Sequence, residues 1–207
     1  MRPPAFNPPY DSPIEEIFAC EFVKYANKSV DLIAQYNTPT ICGNFIIDFI
    51  AILENGRTIG IECDGKEFHD QGRDEWRDAM ILGDTKVDSI YRFRGQDIFH
   101  KIHDCFYLML KIDPALFSER GAINIYARAS DLIKDKIIDP TEELFSVFVA
   151  ESDHEPFCHL KVARLHKLST PYPRTFWKEA YKYAKSTGGG NLDNTIKSFV
   201  QCCGKAT

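Results

Sequence analysis

The sequence predicts an α/β protein built on a mixed central sheet, and three observations support this prediction. Apolar residues alternate with a period of two in segments between residues 30 and 94, as in half-buried strands. Helical periodicity precedes, separates and follows those segments. The 207 residues are 44% hydrophobic and 27% charged, which is sufficient for an ordinary packed core. The predicted element order is α-β-β-β-α-β-α.

The first helix is predicted to run from Ser12 to about Ala26. Ser12 suits the N-cap, Pro13 suits the first helical position, and Glu15 completes a capping box. The expected apolar face comprises Ile14, Ile17, Phe18, Phe22 and Tyr25. Residues 30–36 alternate as a strand, and a loop containing Pro and Gly follows them.

A β-hairpin is predicted over residues 44–65, with the turn ENG at its tip. A three-residue loop with Gly56 in the left-handed position places Phe49 opposite Ile61. Residues that share one face of a strand occur at every second position. The expected core face of the first strand therefore comprises Phe45, Ile47, Phe49, Ala51 and Leu53.

The same register brings carboxylates together. Asp48 is expected opposite Glu62, with Asp64 one pleat further on the same face. Three clustered carboxylates repel one another unless protonation, a basic neighbour such as Lys66 or a divalent cation compensates them. Oxygen ligands of this kind suit Mg²⁺ or Mn²⁺. The alternative is a polar face exposed to solvent. This alternative is disfavoured by three apolar neighbours on the same face, Ile46, Ile50 and Ile52.

The remaining segments complete the predicted core and an accessory region. Further core elements are a helix at residues 72–82, a strand at 88–94 and an amphipathic helix at 97–112. Later elements are a strand at NIYARAS, a hairpin of LFSVFVAES and FCHLKVARL, a helix at RTFWKEAYKYAK, a GGGN loop and a short helix. The chain is thus divided into a proline-rich arm (1–11), a core (12–115) and an accessory region (116–207).

An ordered set of motifs resembles a known nuclease family. The set comprises Ser12-Pro13-Ile14-Glu15, Gln35, Asp48-Phe49, Ile61-Glu62-Cys63-Asp64-Gly65 with His69, and Asp74 with Arg77. It is similar to the PD-(D/E)xK motif of restriction-endonuclease-like nucleases, nearest to small proteins akin to very-short-patch-repair endonucleases. The resemblance covers about residues 12–112. It implies a restriction-endonuclease-like core and metal-dependent hydrolysis of phosphodiester bonds.

The resemblance also implies roles for the acidic residues. Asp48 and Glu62 would hold the metal, with the backbone carbonyl of Cys63 as an extra ligand. Asp64 would be a further ligand or would orient the attacking water. Asp64 stands where the broad superfamily has Lys, as it does in the narrower group, and this leaves the general base open. Lys66 is a possible substitute for that Lys.

Three other motif residues, Glu15, Gln35 and His69, each have a functional and a simpler interpretation. Glu15 projects toward the site, or serves only the capping box. Gln35 positions water or phosphate, or is solvated. His69 is an acid near the leaving group, or a surface residue. Asp74 and Arg77, three residues apart on a helix, are predicted to form a surface pair.

Positive charge is concentrated late in the chain. The net charge is −5, yet residues from 156 onward contain nine Lys or Arg and two acidic residues, so they carry +7 and residues 1–155 carry −12. A basic surface beside an acidic site suits a polyanionic substrate, and a solvated basic helix is the alternative. Expected phosphate contacts are Arg92, Arg94, Arg174, Lys178, Lys182 and Lys185, whereas Phe176 and Trp177 are expected to pack.

These features lead to two hypotheses of different classes. The first is a Mg²⁺- or Mn²⁺-dependent endonuclease that acts on nucleic acid, on DNA rather than RNA. The second is a non-catalytic binding module on a nuclease fold. Seven Cys without a CxxC pair indicate reduced thiols, and a cytoplasmic protein with no membrane association is expected. Residues 116–207 are the expected surface for a homodimer or a larger complex.

Overall fold

The computed structural model describes residues 10–65, 71–139, 144–149, 158–167 and 176–203. In chain order, the first part contains α1 (Pro13–Tyr25), β1 (Asp31–Thr40), β2 (Gly43–Ile52), β3 (Thr58–Asp64), α2 (Gln71–Asp84), β4 (Ser89–Arg94) and α3 (Gly95–Ile112). The second part contains a 3₁₀ turn (Pro114–Leu116), α4 (Glu119–Arg128), α5 (Asp131–Lys134), β5 (Leu144–Val149), β6 (Cys158–His166), α6 (Phe176–Ser186) and α7 (Leu192–Cys203). The predicted order α-β-β-β-α-β-α is confirmed as far as Ile112.

The strands form one mixed sheet in the order β1-β2-β3-β4-β6-β5. β3 and β4 are parallel, and α2 supplies the crossover connection that parallel neighbours require. The other neighbouring pairs are antiparallel. The predicted β5–β6 hairpin is confirmed. Because β6 pairs with β4, this hairpin extends the same sheet as the first four strands.

Two hydrophobic clusters cover the two faces of the sheet. The first joins Phe18 of α1 and Phe106 of α3 to Phe49 and Phe93 of the sheet. The second joins residues of α2 and α6 to the opposite face, where Ile50 and Ile90 are buried. As predicted, Phe18, Phe22 and Tyr25 of α1 are buried and the partly buried Ile14 and Ile17 pack beside them. The sheet therefore lies between two helical layers.

The hairpin register is confirmed. Phe49 pairs with Ile61, the Leu53 amide donates to the Arg57 carbonyl at 2.8 Å, and the Gly56 amide donates to the Leu53 carbonyl at 2.8 Å. Gly56 has a φ of 81°, a conformation that glycine adopts without steric cost. The three-residue turn thus sets which residues of β2 and β3 face each other.

The predicted core face of β2 is wrong in one respect. Phe49, Ala51 and Leu53 pack in the first cluster, but Phe45 and Ile47 pack in the second. The alternation of faces is therefore interrupted at the intervening Asp48. On β1, the position that matches Asp48 is Gln35, whose φ of 51° is the only positive value outside glycine in the described residues. This left-handed residue interrupts the regular pleat of the pair at that point.

The predicted strand at NIYARAS is wrong, because the first five residues of that segment belong to α4. The Ser118 hydroxyl accepts a hydrogen bond from the Gly121 amide and so caps the helix. Gly121 packs so closely on α1 that an added Cβ would lie 2.0 Å from the Tyr25 carbonyl oxygen. The apparent alternation of apolar residues is overridden by this cap and by the contact with α1.

The predicted basic helix is α6, and it packs on α2. Trp177 is buried in the second cluster and Phe176 packs against Trp76 with ring centroids 5.5 Å apart, as expected. An added Cβ at Gly83 would lie 2.2 Å from the Tyr181 ring, which explains the glycine in α2. The GGGN loop and the following helix, α7, are also confirmed. Among the described helices, none combines the length and apolarity needed to cross a membrane.

Candidate active site

The candidate site lies where β2 and β3 diverge. Their paired residues end at Phe49 and Ile61, while β3 continues beside β4 as far as Asp64. Asp48 and Glu62 are the next residues in the register after that last pair. Beyond the ladder, Oδ2 of Asp48 accepts a hydrogen bond from the Cys63 amide at 2.7 Å. The side chain of Asp48 thus takes the place of a backbone acceptor and is fixed against β3.

Burial makes the ionised form of Asp48 costly. It raises the pKa of Asp48 from 3.8 to about 6, the Cys63 amide lowers it, and the nearby charge of Glu15 raises it further. The attraction of Arg77 opposes these effects only in part. Near neutral pH, Asp48 is therefore an ionised carboxylate that would gain from a nearby cation.

Glu62 is buried more deeply, with 3% of its surface exposed. Its Oε1 accepts a hydrogen bond from Nη2 of Arg77 at 2.6 Å, and the same nitrogen donates to the Ile46 carbonyl. Burial raises the pKa of Glu62 to about 8, against the lowering influence of Arg77 and Arg92. Even with Arg77 beside it, the ionised form of Glu62 is costly at this buried position, and a further cation would stabilise it.

Asp64 belongs to a separate ion-pair group beside the site. Its Oδ1 accepts a hydrogen bond from Nη1 of Arg92 at 3.0 Å. Arg92 also binds Asp78 of α2 through Nε and Nη2, both at 2.7 Å. The guanidinium of Arg92 is buried and engaged by carboxylates of the protein, so the predicted phosphate contact would require these bonds to break.

Glu15 and Gln35 reach the site from α1 and β1. Glu15 is buried, and its Oε2 accepts hydrogen bonds from Nε2 of Gln35 at 2.8 Å and from the Asp11 amide at 3.0 Å. The Ser12 hydroxyl donates to the other carboxylate oxygen at 2.8 Å. Glu15 is therefore both part of the helix cap and a neighbour of Asp48. The left-handed backbone of Gln35 places its amide on this carboxylate.

The other predicted residues fall into three groups. Lys66, His69 and Arg174 lie outside the described residues. On α6, Lys178, Lys182 and Lys185 are exposed, and the Lys178 ammonium lies 5.5 Å from the centre of a Trp177 ring. The Arg94 guanidinium binds Asp97 through Nε at 2.7 Å and through Nη2 at 2.9 Å. The phosphate contacts assigned to these residues stay predictions.

Arg77 is the residue at the site that sequence reasoning places wrongly. The spacing predicts a pair with Asp74 on the helix surface, but Arg77 turns inward to Glu62. A sequence signal for this orientation exists, because Met80 and Ile81 follow Arg77 by three and four residues and both are buried. Residues at these spacings share one side of a helix.

The donor set is smaller than the predicted cluster of three carboxylates. In the part of the chain that the structure describes, no group of three or more His, Cys, Asp or Glu side chains is arranged to hold a metal ion. Asp64 turns to Arg92, which leaves Asp48 and Glu62 as the carboxylates of the diverging strands. In an extended strand the carbonyl and the amide of one residue lie on the same edge, so the Cys63 carbonyl is expected on the edge of β3 that faces Asp48. Two carboxylates and a carbonyl fit a hard divalent cation.

Comparisons of the chain with models of protein families, with curated proteins and with solved structures found no match.

Proposed function

We propose that this protein is a metal-dependent nuclease that hydrolyses phosphodiester bonds, in DNA rather than RNA. One observation carries the proposal: Asp48 and Glu62, from two neighbouring strands, are held at the point where those strands diverge, and burial raises the pKa of both carboxylates. A protein that keeps two such carboxylates together loses stability unless a ligand compensates them. The motif resemblance to PD-(D/E)xK nucleases supports the same function.

Asp48, Glu62 and the Cys63 carbonyl would hold Mg²⁺ or Mn²⁺. A bound divalent cation would lower the pKa of a water molecule and neutralise charge on the scissile phosphate. Residues of the protein would position the metal ligand Asp48 and the water molecule. The Cys63 amide fixes Asp48, and Gln35 donates Nε2 to Glu15, so that Oε1 is the atom that Gln35 offers to a water molecule.

Nucleic acid would approach with help from positive charge elsewhere on the protein. The site itself is acidic and repels a polyanion. The three exposed lysines of α6 lie on the helix that packs over α2, and α2 carries Arg77. These lysines would contact phosphates, because electrostatic attraction to the backbone supplies most of non-specific affinity.

The function is tested by incubating labelled single-stranded and double-stranded DNA and RNA with the protein and Mg²⁺ or Mn²⁺. Cleavage is expected with wild type and should be lost in Asp48→Asn and in Glu62→Gln. Asp131→Asn is a matched control, since that carboxylate is 96% exposed on α5. Cleavage at the wild-type rate by both site variants would overturn the proposal.

A non-catalytic binding module is the second candidate, and one observation favours it. Glu62 and Asp64 already have arginine partners in Arg77 and Arg92, so part of the negative charge is neutralised inside the chain. A thermal shift with Mn²⁺ separates the two candidates. Stabilisation that disappears in Asp48→Asn supports a metal site, because a ligand that binds only the folded state raises the melting temperature. No stabilisation supports the binding module.

A further inference from the structure

We infer that Arg77 is a resident counter-ion of the acidic site, which gives up Glu62 to the metal and then binds the phosphate of the substrate. This inference rests on the proposed nuclease function. It assigns to one side chain two successive partners, a carboxylate and a phosphodiester. It also supplies a cation to a site in which Asp64 occupies the position that Lys has in the PD-(D/E)xK motif.

Arg77 and a bound metal ion would both contact the carboxylate of Glu62. Nη2 of Arg77 lies 2.6 Å from Oε1 of Glu62, the carboxylate that would bind the metal. Two cations bound to one buried carboxylate repel each other strongly, even when they occupy different lone pairs. Metal binding to Glu62 therefore displaces Arg77 or weakens its bond.

Arg77 is held through one of its guanidinium nitrogens. Both of its hydrogen bonds, to Glu62 and to the Ile46 carbonyl, come from Nη2. No hydrogen bond from its Nε or Nη1 is found among the described residues. Its side chain is 15% exposed, and the guanidinium carbon lies 5.9 Å from the centre of the Phe45 ring. A guanidinium bound at one corner can turn while the ring continues to support it.

Arg92 is bound to the protein more firmly than Arg77. Arg92 uses Nε and Nη2 for Asp78 and Nη1 for Asp64, so that all three nitrogens are engaged. Bidentate pairing of this kind is strong and geometrically fixed. Arg92 thus stabilises the contact of α2 with the sheet, whereas Arg77 keeps the fork of donors that matches a phosphate group.

The test measures metal binding apart from activity. Mn²⁺ affinity is measured by isothermal titration calorimetry for wild type, Arg77→Met and Arg77→Lys. Arg77→Met removes the competing charge at similar volume, so it should bind Mn²⁺ about five- to tenfold more tightly, the size of a typical coupling between two ligands. Arg77→Lys keeps the competing charge and should resemble wild type. Arg73→Met, which removes an arginine of α2 that pairs with Asp193, is the matched control and should leave Mn²⁺ affinity unchanged.

A second measurement addresses the phosphate. With Ca²⁺ in place of Mg²⁺ to suppress cleavage, Arg77→Met should bind a DNA duplex roughly tenfold more weakly than wild type. In wild type the divalent ion should strengthen DNA binding, and in Arg77→Met this gain should largely disappear. Arg77→Lys, which keeps the charge but loses the bidentate fork, should lie between them.

The outcomes separate this inference from the function on which it rests. If wild type binds no Mn²⁺ through Asp48, the nuclease proposal fails and the inference fails with it. If wild type binds Mn²⁺ but Arg77→Met binds it equally or more weakly, only the inference is overturned. If Mn²⁺ affinity rises while DNA affinity is unchanged, Arg77 competes with the metal without a role at the phosphate, and the second half of the inference is overturned.

Discussion

Buried carboxylates lie near both ends of strand β3, in different electrostatic surroundings. Asp113, near the beginning of β3, is 1% exposed and lies 2.6 Å from Nη2 of Arg57 and 3.8 Å from Nη2 of Arg164. Its Oδ2 also accepts a hydrogen bond from the Tyr91 hydroxyl at 2.6 Å. One carboxylate is thus surrounded by two arginines and a hydroxyl.

The opposite end of β3 has more carboxylates for each cation. Asp48 accepts its hydrogen bond from a backbone amide, Glu62 shares one nitrogen of Arg77, and Glu15 is bound by neutral donors. The same chain surrounds a carboxylate with cations at the other end of this strand of 7 residues, so the fold does not force the deficit. A shortage of positive charge at one end only is what a site for an external cation requires.

The largest expected difference between the two ends is in catalysis. Asp48→Asn and Glu62→Gln should lower the rate of cleavage by roughly a hundredfold or more, since loss of groups that only support a metal ligand already costs about 10- to 100-fold. Asp113→Asn should retain the wild-type rate per folded molecule. Single-turnover cleavage, normalised to the folded fraction by circular dichroism, measures both. Equal losses at the two ends would remove the functional distinction.

The next effect is on stability at the paired end. Asp113→Ala leaves Arg57 and Arg164 without their shared carboxylate and the Tyr91 hydroxyl without its acceptor. Breaking a buried pair from one side costs about 3–5 kcal/mol. Urea unfolding of Asp113→Ala at neutral pH should show a decrease of that size in the free energy of unfolding. A decrease under about 1 kcal/mol, as expected for a surface site such as Asp131→Ala, would contradict the comparison.

Stability at the acidic end should change in the opposite direction. The pKa of Asp48 rises from 3.8 to about 6 on folding, so the folded state holds an extra proton between these values and loses relative stability as the pH rises through that window. Asp48→Asn removes this cost. In the absence of metal it should raise the free energy of unfolding by about 3 kcal/mol at pH 8.

The pH dependence provides the control for Asp48→Asn. As the pH falls toward about 4, the carboxyl becomes protonated in the folded state and increasingly in the unfolded state, so most of the gain should disappear there. Thermal unfolding of wild type and variant from pH 4 to pH 8 measures the difference. A variant that is less stable than wild type at pH 8 would show that Asp48 is already compensated by the chain.

The smallest effect is expected from the basic helix. Replacing Lys178, Lys182 and Lys185 together by Ala should weaken binding to all nucleic-acid sequences, because contacts to phosphates carry no sequence information. The log–log salt dependence should become shallower by roughly one unit for each lost contact. Mn²⁺ affinity should stay at the wild-type value. Unchanged affinity and salt slope would assign these lysines to a solvated face or a protein-docking surface.

The sequence by itself determined the local framework of the site. Gly56 at the tip of the hairpin and the alternation of apolar residues after Phe49 set the register of β2 against β3, and the Ser12 cap set the start of α1. These features depend on contacts between residues close in the chain. Hydrophobic periodicity and the residue types of turns are therefore sufficient to predict them. The sequence alone therefore predicts that Asp48 and Glu62 lie together.

The tertiary structure alone decided how the charges of the site are paired. The change of face at Asp48 depends on Gln35 in a neighbouring strand, and the partner of Glu62 is Arg77 from the helix that covers the sheet. Likewise, Arg92 is buried because Asp78 of α2 meets it across the layer. Each of these contacts joins different secondary-structure elements, and its geometry follows from how the layers pack. Local pattern fixes which residues face a layer, but packing fixes which charges meet there.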